Sequence, residues 1–243
     1  MDSTPPYTIY PCGNHAITVD FGNVIDENIN RYVHALFAQL KWQNIGGVKD
    51  VIPAYSSITV VYDVVTIRHV HPNTAAYNTV VKIVEDTIAK TKMADKETNI
   101  TIKIPVCYHP VFALDLSEMA AQKGISTEDI VQMHCSRMYN IFMLGFLPGF
   151  AYMGTVSQKL EAPRKNNPRT KVPAGSVGIA GKQTGIYPFE SPGGWNIIGQ
   201  TPLRMFNANR QDASLLQPGQ QVQFYSITIE EFYTIKAKQW EYA

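Results

Sequence analysis

Hydrophobic and polar positions alternate differently in the two halves of the chain. From Tyr7 to Gly22, YTIYPCGNHAITVDFG alternates on both sides of Gly13-Asn14, which predicts two strands around a turn. DENINRYVHALFAQLKW then places Ile29, Val33, Leu36, Phe37 and Leu40 on one helical face, with Asp26 positioned to cap it. VKDVIPAYSSITVVYD predicts two more strands, joined near Ala54-Tyr55-Ser56. NTAAYNTVVKIVEDTIAK predicts a second helix with Tyr77, Val80, Val81, Val84 and Ile88 on its apolar face and Asn73 as its cap. The order ββαββα is that of a small α+β unit with helices on one side of a sheet.

TKMADKETN, from Thr91 to Asn99, is polar and reads as a linker. It divides the chain into expected domains at residues 1–92 and 93–243. ITIKIPVCY opens a new strand. Two short helices are predicted next, Leu114 to Lys123, stopped by Gly124, and Thr127 to Met138, with Ser126 and Asp129 spaced as a capping box. From Tyr139 to Tyr225 short apolar runs alternate with glycine and proline, the texture of short strands in a barrel or sandwich.

Composition narrows the function classes. The 243 residues suffice for one large domain or two small ones, and 45% hydrophobic with 17% charged residues describes an ordinary folded protein. A net charge of +1 gives no global attraction to nucleic acid or an anionic membrane surface. MDSTPPYTIYP has neither the basic nor the apolar region of a secretory signal. IFMLGFLPGFAYM, the longest apolar stretch, is interrupted by Gly145, Pro148 and Gly149 and falls short of the ~20 residues a spanning helix needs. Cys12, Cys107 and Cys135 form no C-x-x-C pair, so reduced thiols and a cytoplasmic location are expected.

The densest chemistry lies in PRKNNPRTKVPAGSVGIAGKQTGIYPFESPGGW. Arg164, Lys165, Arg169, Lys171 and Lys182 are interleaved with Gly175, Gly178, Gly181 and Gly185, and exposed backbone N–H groups beside fixed cations favour an anion. SVGIAGKQ is not a nucleotide loop, because Ser176 replaces its first glycine and Gln183 its magnesium-binding hydroxyl. The competing reading is of tight turns and solvated cations. GFLPGFAYMG reads first as a core strand and turn. His134 sits beside Met133 and one turn from Ile130 and Met138, a core position unless the ring faces a cleft, where it would suit proton transfer. His69 with His71, and Cys107 with His109, lack a third ligand at a recognisable spacing, so no metal site is expected. No G-x-S-x-G is present.

Three stretches together, HCSRMYNIFMLGFLPGFAYMG, PRKNNPRTKVPAGSVGIAGKQTGIYP and SPGGWNIIGQTPLRMF, resemble the family of the 5-oxoprolinase B subunit, also named allophanate hydrolase subunit 1, which includes the kinase inhibitor KipI. The resemblance runs from YPCGNHAITVDFG to LLQPGQQVQFY. It implies a small α/β N-terminal domain followed by a cyclophilin-like β-barrel. It also implies a polypeptide that pairs with a homologous C subunit and, together with the A subunit, opens 5-oxoproline to glutamate using ATP and magnesium. Alternatives within the family are inhibition of a sensor histidine kinase and a role in a urea- or allophanate-type amide enzyme. On this resemblance His134, Lys182 and Arg169 are the expected catalytic residues. Arg164, Gln183, Tyr187, Ser191, Gly193, Gly194 and Trp195 are the expected substrate-binding residues, with Trp195 as an apolar wall. The chain departs from the family pattern at Asn14, where Asp is usual, at Gln200, where Arg is usual, and in PGQQVQF, where PGD-V-F is common.

Overall fold

A computed structural model of the chain describes residues 4–92 and 100–240. Its contacts divide it into two units that meet at Thr98/Asn99. The expected boundary at residue 92 adjoins, and most of the expected linker occupies, positions 93–99, which lie outside the described residues.

The N-terminal unit runs β1 (Thr8–Pro11), β2 (Ala16–Asp20), α1 (Glu27–Trp42), β3 (Val48–Pro53), β4 (Ser57–Tyr62), α2 (Val64–Val70) and α3 (Ala76–Ile88). The strands form one antiparallel sheet in the order β1-β2-β4-β3. Gly13, at φ +67°, makes the first turn. Asp26 caps α1 by accepting from the N–H groups of Asn28 and Ile29 at 2.8 and 2.9 Å. Ile17, Val19, Ile58 and Val60 are sealed against Val33, Leu36, Val80 and Val84. At roughly 1.5–3 kcal/mol per fully buried side chain, this face holds the unit together. The structure differs from expectation in two places. Asn73 does not cap α3, whose N-cap is Ala75 with no side-chain bond. Helix α2 has no counterpart in the sequence pattern, because only Ile67 of its seven residues is buried and one buried position shows no period.

The second unit runs β5 (Thr101–Val106), α4 (Leu116–Lys123), α5 (Thr127–Cys135), β6 (Met138–Leu144), β7 (Ala151–Gly154), β8 (Arg169–Val172), β9 (Ser176–Ala180), β10 (Gln183–Ile186), β11 (Ser191–Gly193), β12 (Asn196–Gln200), β13 (Gln221–Ser226) and α6 (Ile229–Trp240). Seven strands form a sheet in the order β12-β9-β10-β7-β6-β13-β5, and β8 with β11 makes a separate ribbon. Cys107, just after β5, exchanges backbone hydrogen bonds of 2.8 and 3.0 Å with Gln200 at the end of β12. That bridge joins the two edge strands, so the sheet curls into a nearly closed barrel. The chain thus has the expected α+β class, with a small N-terminal sheet and a barrel-like second unit.

Gly124 terminates α4 in the left-handed conformation, and Ser126 with Asp129 forms a reciprocal capping box on α5. Helix α5 stops at Cys135, three residues short of the expected Met138, which instead opens β6. Helix α6 likewise lacks a sequence signal, since only Phe232 among its described side chains is fully buried.

Candidate functional site

The basic, glycine-rich segment divides into two sets of cations. Asp115, 1% exposed at the start of α4, organises the first. Arg169 reaches it from β8 with both terminal nitrogens, Nη1 to Oδ2 at 2.8 Å and Nη2 to Oδ1 at 2.7 Å. Lys165 Nζ donates to the same carboxylate at 2.7 Å and to Glu118 at 2.8 Å. The Ile197 N–H supplies a further bond to Asp115 Oδ2 at 2.7 Å. Burial pushes the Asp115 carboxyl upward, but the bonds from Arg169, Lys165 and Ile197 prevail and hold it below its ordinary value. Arg169, expected at a reacting centre, has its fork committed inside the fold. Lys171 pairs on the surface with Glu190 at 3.3 Å.

Arg164 and Lys182 form the second set. Both side chains are exposed, with no ion-pair or hydrogen-bond partner among the described residues. The Arg164 charge is felt by two tyrosines. Burial raises the Tyr152 and Tyr187 hydroxyls above their ordinary values, and the Arg164 charge draws both partly back. Lys182 sits in the β9–β10 hairpin, where its carbonyl accepts from the Val156 N–H at 2.8 Å. Tyr187 follows the opposite end of β10, so the two backbones are roughly 15 Å apart at strand rise. The Ala162–Gly181 bridge nevertheless places Lys182 beside the segment that carries Arg164.

Beneath the Gly193-Gly194 loop is an aromatic floor. Phe150, Val172, Ala180, Tyr187, Trp195 and Ile197 form a compact cluster. Trp195 is 4% exposed and meets Phe150 edge-on at 5.4 Å. Expected as an apolar wall, it packs within the cluster beneath the loop. A Cβ on Gly193 would overlap the Tyr187 hydroxyl, so glycine is required there by close approach, although its φ is not positive. Gly194 has only ordinary contacts, the nearest Pro168 Cγ at 3.5 Å, and its carbonyl accepts from the Lys165 N–H at 2.8 Å. Ser191, in β11, holds a buried hydroxyl oxygen with no hydrogen-bond partner among the described residues. Gln183 is half-buried in β10, opposite Gly154 and Ala180.

His134 has a fully satisfied core environment. Its ring is 0% exposed and stacks on Phe224 at 4.4 Å. Thr184 donates its hydroxyl to the Gly178 carbonyl at 3.1 Å, so it receives the His134 Nε2–H at 3.0 Å. Nδ1 is then the acceptor for the Tyr108 hydroxyl at 2.8 Å. Burial pushes the ring's pKa down to about 3. The ring faces no cleft, so the condition under which it would suit proton transfer is not met.

Two features carry little or no sequence signal. Asp115 has no local motif, because its partners stand 50, 54 and 82 residues away. Phe146, inside the stretch read as core strand and turn, is 60% exposed at φ +66°. It stands edge-on to Phe150 at 5.5 Å and to Tyr187 at 6.4 Å. A bulky residue rarely holds a positive φ, and the GFLPGF spacing is the only sign of it in the chain. Among the described residues no three of His, Cys, Asp and Glu are grouped to hold a metal, and no helix is long and apolar enough to cross a membrane. What the segment offers chemically is an exposed guanidinium, two adjacent glycines and a buried hydroxyl, all near one another in sequence.

Comparison with known proteins places this geometry in context. The family described as carboxyltransferase domain, subdomain C and D, matches residues 7–216. The curated B subunit of 5-oxoprolinase from Bacillus subtilis is 38% identical over 96% of this chain and 98% of its own length. A crystallised protein 32% identical matches with a TM-score of 0.75 over 87% of this chain, and this chain covers 40% of it. The urea amidolyase of K. lactis shares the fold, with a TM-score of 0.77 at 22% identity, over 97% of this chain and 16% of the enzyme.

Proposed function

This chain belongs to the carboxyltransferase-domain family, subdomains C and D, and on that premise we propose that it acts as the B subunit of an ATP-dependent 5-oxoprolinase. The observation that carries the reading is its near full-length similarity to a curated B subunit of that enzyme. In this role it pairs with a homologous C subunit to activate the lactam amide of 5-oxoproline, and the A subunit completes ring opening to glutamate in the cytoplasm.

The chain's own residues do not fit a complete site for ATP and magnesium. Gly181-Lys182 lies in a β-hairpin rather than at a helix N-terminus, and no metal-holding cluster occurs among the described residues. Nucleotide binding therefore falls to the pair, with the C subunit supplying what this chain lacks. The contribution assigned to this chain is positioning and charge. Arg164 offers an exposed cation whose charge reaches Tyr152 and Tyr187. Such a cation stabilises negative charge developing on an activated amide. Gly194 faces Pro168 and the Lys165 carbonyl at ordinary contact distances, the nearest 3.5 Å.

The test is co-expression with the C subunit and an assay of 5-oxoproline-dependent ATP hydrolysis. The single chain is expected to be silent and the pair active, and Arg164→Ala is expected to lower turnover of the pair by about a hundredfold without changing its melting temperature. Robust turnover by the single chain, or full activity with Ala at 164, sinks this reading.

A further inference from the structure

The connection between β6 and β7 is built to hold one ring in solvent. Gly145 to Phe150 make two turns in succession. The Leu147 N–H donates to the Gly145 carbonyl at 2.8 Å, which closes a three-residue turn on Phe146 at φ +66°. The Phe150 N–H donates to the Leu147 carbonyl at 2.9 Å across Pro148 and Gly149, and Gly149 at φ +82° supplies the left-handed residue that such a turn needs. The Gly145 N–H donates to the Phe150 carbonyl at 3.1 Å and ties the two ends together. The neighbours of Phe146 are anchored. Phe150 belongs to the aromatic cluster and Leu147 packs against it. A Cβ on Gly149 would meet Phe206 Cβ at 2.9 Å, so this side of the loop lies tight against Phe206.

Phe146 itself gains little from this frame. Its ring meets Phe150 and Tyr187 edge-on and is otherwise exposed. A three-residue turn with positive φ at its centre is strained, and glycine would occupy that centre without the strain a bulky residue brings. Strained conformations that the surrounding structure over-determines cluster where a side chain has to be presented to something else. A second exposed ring is joined to the loop: Phe206, against Gly149, packs on Phe189 at 5.8 Å. The charge of the exposed Arg164 is felt at Tyr187, the ring on which Phe146 stands. A small ligand needs a concave site, whereas a projecting ring fits a pocket on another protein. An apolar ring in a positive field fits an apolar pocket with acid at its rim.

The chain matches 98% of a curated B subunit but only 40% of a crystallised relative, so the same fold occurs both as a separate subunit and joined to further polypeptide. For a separate subunit, the counterpart of that further polypeptide is a second chain. We propose that Phe146 anchors the docking surface for the C subunit, its ring seated in an apolar, acid-rimmed pocket of that subunit. The inference rests on the B-subunit reading for the partner's identity. Docking there sets the partner beside Tyr187, whose hydroxyl abuts Gly193, and the candidate site is completed at the junction of the two chains.

The experiment measures the dissociation constant of the full chain and the C subunit by calorimetry, and 5-oxoproline-dependent ATP hydrolysis of the mixture. Phe146→Gly removes the ring and the strain together. It is expected to weaken pairing about tenfold or more while melting no lower than the parent. Turnover is expected to recover when the C subunit is raised past the new dissociation constant. Tyr225→Ala, which removes an exposed ring from β13, is expected to pair like the parent. Parental pairing by Phe146→Gly overturns the assignment, as does a lowered melting temperature, which makes the ring a structural one. An equal loss in Tyr225→Ala overturns it too, and so does self-association of the chain that Phe146→Gly abolishes with C-subunit affinity unchanged. Turnover separates this surface from the role in the enzyme. A pair that opens 5-oxoproline and is indifferent to Phe146 overturns the surface and keeps the role. A pair that depends on Phe146 but opens no 5-oxoproline does the reverse, and absence of any pair overturns both.

Discussion

In the basic segment, Lys165 and Arg169 converge on one buried carboxylate, whereas Arg164 and Lys182, from the same stretch of sequence, have no ion-pair partner among the described residues. The two regions carry the same kind of charge, but they differ in where the counter-charge resides. At Asp115 it is built in, and the cations tie β8 and the preceding loop to α4. At Arg164 and Lys182 the described residues supply none, so a ligand can. A cluster of cations in sequence is therefore not by itself a site, because the decisive observation is whether the fold has already provided an acid.

The largest expected effect breaks the built-in half of this comparison. Asp115→Ala leaves Arg169 and the buried Ile197 N–H without their acceptor and Lys165 with Glu118 alone, and is expected to cost about 3–5 kcal/mol. Chemical denaturation at pH 7 measures it, and a loss below about 1 kcal/mol would show that the cluster is only a surface ion pair. The carboxyl's lowered pKa adds a pH signature. Its stabilisation is present above the ordinary carboxylate value of about 4 and is lost as pH falls through the depressed folded value.

His134 gives the next effect, and it acts in a higher pH window. The folded ring stays neutral down to about pH 3, while the unfolded ring takes a proton near 6.5. The unfolded state therefore binds the extra proton as pH falls between those values, and stability declines with it, by about 2–3 kcal/mol between pH 6.5 and 4.5. His134→Gln, which keeps a donor and an acceptor, is expected to flatten that slope. An unchanged slope in the variant would assign the pH dependence to other groups.

What the chain discloses before folding follows the same physical division. Local signals suffice for β1 to β4, α1 and the two helix caps, because periodicity and capping involve residues three or four apart. They fail for α2 and α6, each with a single fully buried position among the described side chains, and for the start of α3, where Ala75 replaces a capping side chain. At the candidate site the segment is legible as basic and glycine-rich, but not which cations are committed. That depends on Asp115, whose nearest cationic partner in the basic segment is 50 residues away. His134 is legible as a core position from its neighbours, while its partners Tyr108 and Thr184 come from distant strands and loops.

The smallest expected effects concern the two glycines that precede Trp195, and they separate a structural glycine from one available to a ligand. Gly193→Ala forces a methyl group into the Tyr187 hydroxyl and ring, and overpacking of this kind costs about 1–3 kcal/mol. Gly194→Ala meets only ordinary contacts, the nearest at 3.5 Å, and its φ is not positive. The strain expected of a left-handed glycine does not arise there, and the change in stability should stay within about 0.5 kcal/mol. The two variants therefore divide the loop's roles. If it is only a turn, Gly194→Ala melts and turns over like the parent in complex with the C subunit. If substrate approaches its backbone, the added methyl displaces the reacting group, and a displacement near 1 Å costs about a hundredfold in rate. The expected outcome is an unchanged melting temperature with turnover at least tenfold lower. Parental turnover by Gly194→Ala would leave Gly193-Gly194 as a support for Tyr187 and Trp195, with no part in positioning the reacting amide.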